Sequence, residues 1–220
     1  DTLLWSTYIG GDYYEYGGQS ALAANGELVI AGTTYYPGSY SFPYVYYYGS
    51  GTSYYKPAVF RLSANGSSRI SAAFWGGSYS SYQYGTGVAI NPTTGDVYVT
   101  GQTYNASSYA WPFGSGGYFM SYSGYGDPFI TRLNADFSQY LNSTIVPTDS
   151  YYYDTGMYLA LDASGNVYVS GMTYTYSSWG GTNTIGPAAN YDLFIAKYSS
   201  DLRTQYYDTK IGGSSTDPTA

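Results

Sequence analysis

The sequence predicts an all-β fold, a β-propeller-type array of three four-stranded antiparallel blades plus one spare N-terminal strand. Three observations support this prediction. One motif recurs as Gly26–Tyr35, Gly95–Tyr104 and Gly165–Tyr174, at spacings of 69 and 70 residues. Its apolar residues alternate, as they do in β-strands. Turn sequences rich in Asn, Asp and Gly flank each copy, and antiparallel units repeated at such a period are typical of propellers.

Each repeat is predicted to contain four strands, a to d, in the same order. Strand a covers 17–23, 85–90 and 156–161, and strand b is the recurring motif. Strand c is the apolar run at 58–62, 129–133 and 194–198, and strand d is the segment that ends in Gly-Gly in two of the repeats. The resulting division is a spare d-type strand at 1–11, blades at 12–77, 78–147 and 148–213, and a tail at 214–220.

The order of these motifs resembles the SBBP-type β-propeller repeat of bacteria and archaea. The likeness runs from the Trp5-Ser-Thr-Tyr-Ile-Gly-Gly11 segment to Gly213, and includes the Gly-x-Val-Tyr-Val and Phe-Ile-x-Arg/Lys runs. The resemblance implies a secreted or surface-attached propeller, often a module of a larger protein and mostly without known catalysis. The chain departs from the family in its long, Tyr-rich b–c segments and in Val146-Pro147, which replaces Gly-Gly.

The composition excludes several kinds of functional site. The 220 residues contain no Cys and no His, so disulfides, thiolate zinc sites, cysteine nucleophiles and Ser-His-Asp triads are absent. A net charge of −7 with only seven basic residues argues against nucleic acid and anionic membranes as partners, and no apolar run is long enough to insert into a membrane. We expect no enzyme activity, no catalytic or metal-binding residues and no cofactor; calcium at 149–154 stays open.

Charged residues at repeated positions are interpreted as structural. The Asp residues at 96, 136, 162 and 201 lie in turns, where their side chains cap backbone N–H groups. Arg61, Arg132 and Lys197 occupy the same place in the three repeats. A residue repeated in this way is expected to play the same structural role in each blade.

The low charged fraction of 10% and the abundance of Tyr, Ser and Gly favour an extracellular or cell-surface protein. Three sequons fit this location, with Asn65, Asn105 and Asn142 as the predicted glycosylation sites. Asn105 is the preferred site, because it lies in a long b–c segment.

Three blades are too few to close a propeller, which needs about four. Either the chain is a fragment of a longer propeller, or copies associate into a ring or a filament. The N-terminal segment is the predicted assembly strand, through Leu3, Leu4, Trp5, Tyr8 and Ile9. It is expected to pair with a neighbouring copy, with pairing to the third blade near 204–211 as the alternative.

The d–a and b–c connections are predicted to form a Tyr-rich face at one end of the blades. Its residues are Tyr13, Tyr14, Tyr16, Tyr46, Tyr47, Tyr48, Tyr82, Tyr84, Tyr151, Tyr152 and Tyr153. Tyrosine supplies contact area at low entropic cost. The leading hypothesis is a secreted, non-enzymatic structural protein that forms homo-oligomers or homopolymers, such as a filament or surface layer. The alternative is a carbohydrate-binding module whose Tyr-rich face stacks on glycans.

Overall fold

In a computed structural model of the chain, the structure describes residues 2–35, 43–49, 55–77, 82–104, 111, 126–148, 154–175, 183–187 and 190–213. These ranges contain fourteen β-strands and no α-helix, which confirms the all-β prediction. They therefore contain no helix of the length and hydropathy that a membrane span requires.

The strands form three separate sheets, as predicted for three blades. Sheet 1 contains β1 (Glu15–Leu22), β2 (Leu28–Tyr35), β3 (Tyr44–Gly49), β4 (Tyr55–Leu62) and β5 (Arg69–Gly76). Sheet 2 contains β6 (Gln83–Ile90), β7 (Val97–Thr103), β8 (Asp127–Leu133) and β9 (Tyr140–Ile145). Sheet 3 contains β10 (Thr155–Leu161), β11 (Val167–Thr175), β12 (Asn183–Ile185), β13 (Asn190–Tyr198) and β14 (Gln205–Ile211). This arrangement is compatible with a propeller-like array of blades.

The turns between strands c and d are built alike in all three sheets. The side chains of Asn65, Asp136 and Asp201 each accept a hydrogen bond from the backbone N–H two residues later. The residue that directly follows the Asn or Asp has a positive φ in each turn; these residues are Gly66, Phe137 and Leu202. A left-handed conformation is costly for Phe and Leu, so the burial of both side chains must offset it. The interpretation of Asp136 and Asp201 as turn residues agrees with this geometry.

The prediction of four strands per blade is wrong for sheets 1 and 3, where a fifth strand lies at the outer edge. The strands β3 and β12 run parallel to β5 and β14, respectively. Both come from b–c segments that were predicted to be loops. In β3, alternating side chains pack on opposite faces of the sheet, and Tyr and Val suit such a half-buried strand. Sheet 2 has four strands in its described part.

The N-terminal segment does not form the predicted spare strand within the single chain. Its described residues 2–14 have no regular secondary structure. None of them pairs with β14, and Ile9 packs on sheet 1 against a buried cluster of Ala58, Phe60, Ala72 and Phe74. The ring of Trp5 lies over Gly66, within 2.3 Å of where a Cβ would be. Pairing of this segment with another copy stays a prediction.

The core lies between successive sheets. We call the face of a sheet that points to the next sheet along the chain its forward face, and the opposite face its backward face. Between sheets 1 and 2 the buried residues include Val29, Val59, Trp75, Val97, Val99, Phe129 and Ile145. Between sheets 2 and 3 they include Tyr98, Ile130, Val146, Val167, Val169, Phe194 and Tyr198. Two interfaces of the same kind thus join the three sheets.

Candidate functional site

The forward face of sheet 3 has the same construction as the two buried forward faces. Strand pairing is in the same register in each sheet, with Val29 opposite Arg61, Tyr98 opposite Arg132, and Tyr168 opposite Lys197. Two residues earlier on strand c, and on the same face, Val59, Ile130 and Ile195 occupy equivalent positions. Val59 and Ile130 are wholly buried by the next sheet, whereas Ile195 is half-buried.

The edge of this face is still more exposed. Ile211 on β14 is 41% exposed, while its equivalents Trp75 and Val146 are 1% and 0% exposed. Leu193 is exposed where Pro57 and Pro128 are buried. The forward face of sheet 3 is therefore an apolar packing surface that no described residue covers with a further sheet.

A second open surface lies at the other end of the series, on the inner part of the backward face of sheet 1, which is formed by β1 and β2. Leu28 and Ile30 are only half-buried, although the valines at the equivalent positions of sheets 2 and 3 are wholly buried. Leu22, opposite Leu28, is 71% exposed. The N-terminal segment covers the outer part of the same face, around Phe60 and Phe74. The two ends of the sheet series are thus apolar, and one of them is partly covered.

The three repeated basic residues play one structural role, as expected. Arg61 is paired with Glu27 at 2.7 Å and Lys197 with Asp162 at 3.1 Å, and Arg132 is paired with Asp96. At the two internal interfaces these residues also reach the next blade. The guanidinium of Arg61 lies 5.3 Å from the centroid of the Phe137 ring, and Arg132 donates a hydrogen bond to the Ser200 carbonyl.

Part of the predicted Tyr-rich face is a cluster of rings that contact one another. We define the tyrosine cluster as Tyr13, Tyr16, Tyr35, Tyr55, Tyr82, Tyr84 and Tyr104. Tyr55 is its centre, with ring centroids 5.0–5.8 Å from those of Tyr16, Tyr35, Tyr82 and Tyr84. A hydrogen bond with Tyr16, together with burial and the neighbouring rings, raises the pKa of Tyr55 to about 12. Mutual packing of this kind stabilises the ends of sheets 1 and 2.

Three other predicted members of the face lie elsewhere. Tyr46, Tyr47 and Tyr48 form the edge strand β3 and not a loop. Tyr46 and Tyr48 pack against the core between sheets 1 and 2, and the Tyr48 hydroxyl donates a hydrogen bond to the Phe137 carbonyl. Tyr47 stacks on Phe74, with centroids 5.4 Å apart. Placing these three residues on the Tyr-rich face was therefore wrong, because alternation along a strand divides them between two packing surfaces.

The remaining predicted site residues have varied positions. Tyr14 is exposed, and Tyr151, Tyr152 and Tyr153 lie outside the described residues. Leu3, Leu4 and Tyr8 of the predicted assembly strand are all at least 79% exposed, while Trp5 and Ile9 contact sheet 1.

The three sequons differ in their accessibility. Asn65 is exposed in a turn, and Asn105 lies outside the described residues. Asn142 is 6% exposed and its Nδ2 donates a hydrogen bond to the Asp201 carbonyl at 2.7 Å. A glycan attached to that nitrogen would remove this contact between sheets 2 and 3. The folded geometry disfavours Asn142 as a glycosylation site and leaves Asn65 suitable.

No metal site is formed among the described residues, where no group of three acidic side chains converges. For the segment 149–154, the structure describes only Asp154, which is buried and accepts a hydrogen bond from the Tyr174 backbone N–H at 2.6 Å. Asp149 lies outside the described residues.

Two buried lysines were not identified from the sequence. Lys210 and Asp192 form an ion pair at 2.9 Å, and both side chains are wholly buried. Lys56 is buried next to the tyrosine cluster and donates a hydrogen bond to the Gly77 carbonyl at 2.5 Å. Register makes Lys56 the equivalent of Asp127 and Asp192, since each lies opposite a Thr of strand b. Burial lowers the pKa of Lys56 to about 8.

The lowered pKa of Lys56 predicts a pH dependence of stability. Below pH 8 the folded and the unfolded chain both bind this proton, so the folded chain bears the full cost of the buried charge. Between pH 8 and the ordinary value of 10.5 the unfolded chain binds more protons, and the free energy of unfolding should therefore rise with pH. Urea denaturation between pH 8 and pH 10 measures the effect. Above pH 10 the ionisation of tyrosines would contribute as well. The Lys56→Met variant should be more stable than the wild type below pH 8 and should lose this rise; an unchanged rise would contradict the assignment.

No family model matches the chain, and no match is found among the curated proteins. The arrangement of the sheets and the chemistry of their surfaces therefore carry the functional argument.

Proposed function

We propose that the chain is a secreted, non-enzymatic structural protein whose copies associate through the open faces of its end sheets, as in an extracellular filament or surface layer. One observation carries the proposal: the end faces keep the residue types of the internal interfaces but leave them exposed. Ile211 on sheet 3 and Leu22 on sheet 1 are the clearest cases, and Ile195 on sheet 3 is left half-buried. Exposed apolar sheet faces of this kind are typical of interaction surfaces.

The tyrosine cluster supports a structural role. Its central ring, Tyr55, contacts four other rings, and a ring in such contact has little free face to stack on a sugar. Rings packed on each other instead hold the ends of neighbouring strands together. Glycan binding by this surface stays a prediction.

The extracellular location rests on composition. A chain with 10% charged residues and 34 tyrosines resembles surface proteins more than cytosolic enzymes, which carry about 25% charged residues. The exposed sequon at Asn65 is consistent with this proposal. The resemblance of the repeats to the SBBP type supports the same location and belongs to the same proposal.

The proposal predicts that the purified chain is not a monomer. Sedimentation velocity over a range of concentrations should show a mass above the 23.9 kDa of the single chain, and negative-stain images should show rings or filaments. The proposal fails if the protein sediments as a monomer at the highest concentration at which it stays soluble. A glycan-binding assay on the same sample tests the alternative function independently.

A further inference from the structure

Two glycines allow successive blades to come into close contact. Gly85 and Gly156 lie near the start of β6 and β10, which are strand a, the innermost strand, of sheets 2 and 3. A Cβ on Gly85 would lie 2.4 Å from the Gly32 carbonyl oxygen. A Cβ on Gly156 would lie 2.1 Å from Thr100 Oγ1 and 3.3 Å from the Gly101 carbonyl oxygen. At both internal interfaces, therefore, the inner strand touches strand b of the preceding sheet so closely that no side chain fits.

Gly17 holds the same place in sheet 1 but has no such neighbour. It lies opposite Gly32, as Gly85 lies opposite Gly101 and Gly156 opposite Gly171. A Cβ on Gly17 would meet nothing within 4 Å. Gly32 and Gly101 of strand b contact the next blade, whereas Gly171, their equivalent in sheet 3, has no blade after it among the described residues. Gly17 thus lacks a preceding blade to contact, and Gly171 lacks a following blade among the described residues.

We infer that the forward face of sheet 3 in one copy packs on the backward face of sheet 1 in a second copy, with Gly17 of one copy against Gly171 of the other. This inference rests on the proposed function and specifies its contact. The two end faces repeat, position by position, the faces that are already buried at the two internal interfaces. Each copy carries both halves, so a second copy supplies the missing partner for both ends.

The N-terminal segment is compatible with this contact. Ile9 packs on the buried cluster around Phe60, whereas Gly17 and Leu22 stay exposed. Thr7, Tyr8 and Ile9 line one side of an open pocket, and Gly17 and Ile30 line the other. The segment therefore borders the face that the second copy would cover and leaves its glycine position open.

The contact joins two different faces and is therefore heterologous. Such contacts close into a ring when the rotation between copies permits, and otherwise extend into a filament. Both assemblies use the same pair of faces in every copy. A substitution in either face should therefore prevent self-association, whichever form the assembly takes.

Gly17→Ala tests the sheet 1 side. The added methyl has open space in the single chain, so circular dichroism and thermal unfolding should match the wild type. Self-association measured by sedimentation should weaken about 30-fold or more, because the methyl would collide with the second copy as it would with the preceding blade at Gly85 and Gly156. Gly85→Ala is the matched control: the same substitution at a filled position should lower the melting temperature of the chain itself.

Ile195→Arg tests the sheet 3 side and permits a complementation experiment. Each variant alone should remain monomeric where the wild type associates. A mixture of Gly17→Ala and Ile195→Arg retains one intact pair of faces, and should form a complex of one copy of each that grows no further. Loss of association in only one of the two variants would overturn the inference, because like faces would then be paired, while leaving the proposed function intact. Association of both variants at wild-type strength would overturn both proposals. A monomeric wild type would overturn both.

Discussion

Replacing Lys210 with Met is expected to lower the free energy of unfolding by about 3–5 kcal/mol, which is the usual cost of removing one partner of a buried ion pair. The Lys210 Nζ atom is 2.9 Å from Asp192 Oδ2, and both side chains are wholly buried in sheet 3 on the side that packs against sheet 2. The variant would leave the Asp192 carboxylate without its cation. An uncompensated buried charge is far more costly than an absent pair.

The control is the double variant Lys210→Met with Asp192→Leu. Two apolar side chains of similar volume often replace a buried ion pair with little or no loss of stability. The double variant should therefore recover most of the stability that the single variant loses, as measured by urea denaturation at neutral pH. Equal losses in the two variants would show that the lysine acts by packing and not by charge.

This ion pair marks a limit of prediction from repeats. The positions equivalent to Lys210 are Phe74 and Ile145, because each lies opposite Ala58, Phe129 or Phe194 on strand c. Two of the three repeats thus place an apolar residue there. The lysine is tolerated only because Asp192 lies beside it, and sequence spacing alone does not show that the two side chains meet.

The features that recur three times were predictable. The strands, the turns at Asp136 and Asp201, and the common structural role of the repeated basic residues all follow from the repeat. The ion pairs themselves were not predicted, since Asp96 and Asp162 were expected to cap turns and each also pairs with a basic residue. Elements that occur in only some repeats were not predictable in this way. The edge strand β3 is an example, since its six residues read equally well as a Tyr-rich loop.

The candidate site was predicted only in outline. Open sheet faces follow from counting three blades, but which residues stay exposed depends on how the sheets pack. Gly17 shows the difficulty, because the sequence marks it as one of 29 glycines, and only the empty space around it separates it from Gly85. Likewise, Trp5 was predicted to pair with another copy, but its ring lies over Gly66 of its own chain.

Deleting residues 1–9 is expected to leave a folded all-β chain that is less stable by about 2–4 kcal/mol. The deletion removes the packing of Ile9 on the cluster with Phe60 and Phe74, and removes the Trp5 ring from the turn at Gly66. Burying a large apolar side chain contributes about 1.5–3 kcal/mol, and both side chains here are only partly buried. Urea denaturation of the two chains measures the difference, and unchanged stability would show that the segment contributes nothing to sheet 1.

The same deletion separates two roles for the N-terminal segment in assembly. If the segment covers part of an association face, its removal exposes the cluster around Phe60 and enlarges the apolar surface. Binding of a hydrophobic dye should then increase, and self-association should become stronger at a given concentration. If the segment is a linking strand, the deletion should abolish association without creating a dye-binding surface. Since the segment lies on its own sheet and pairs with no strand among the described residues, we expect the first result.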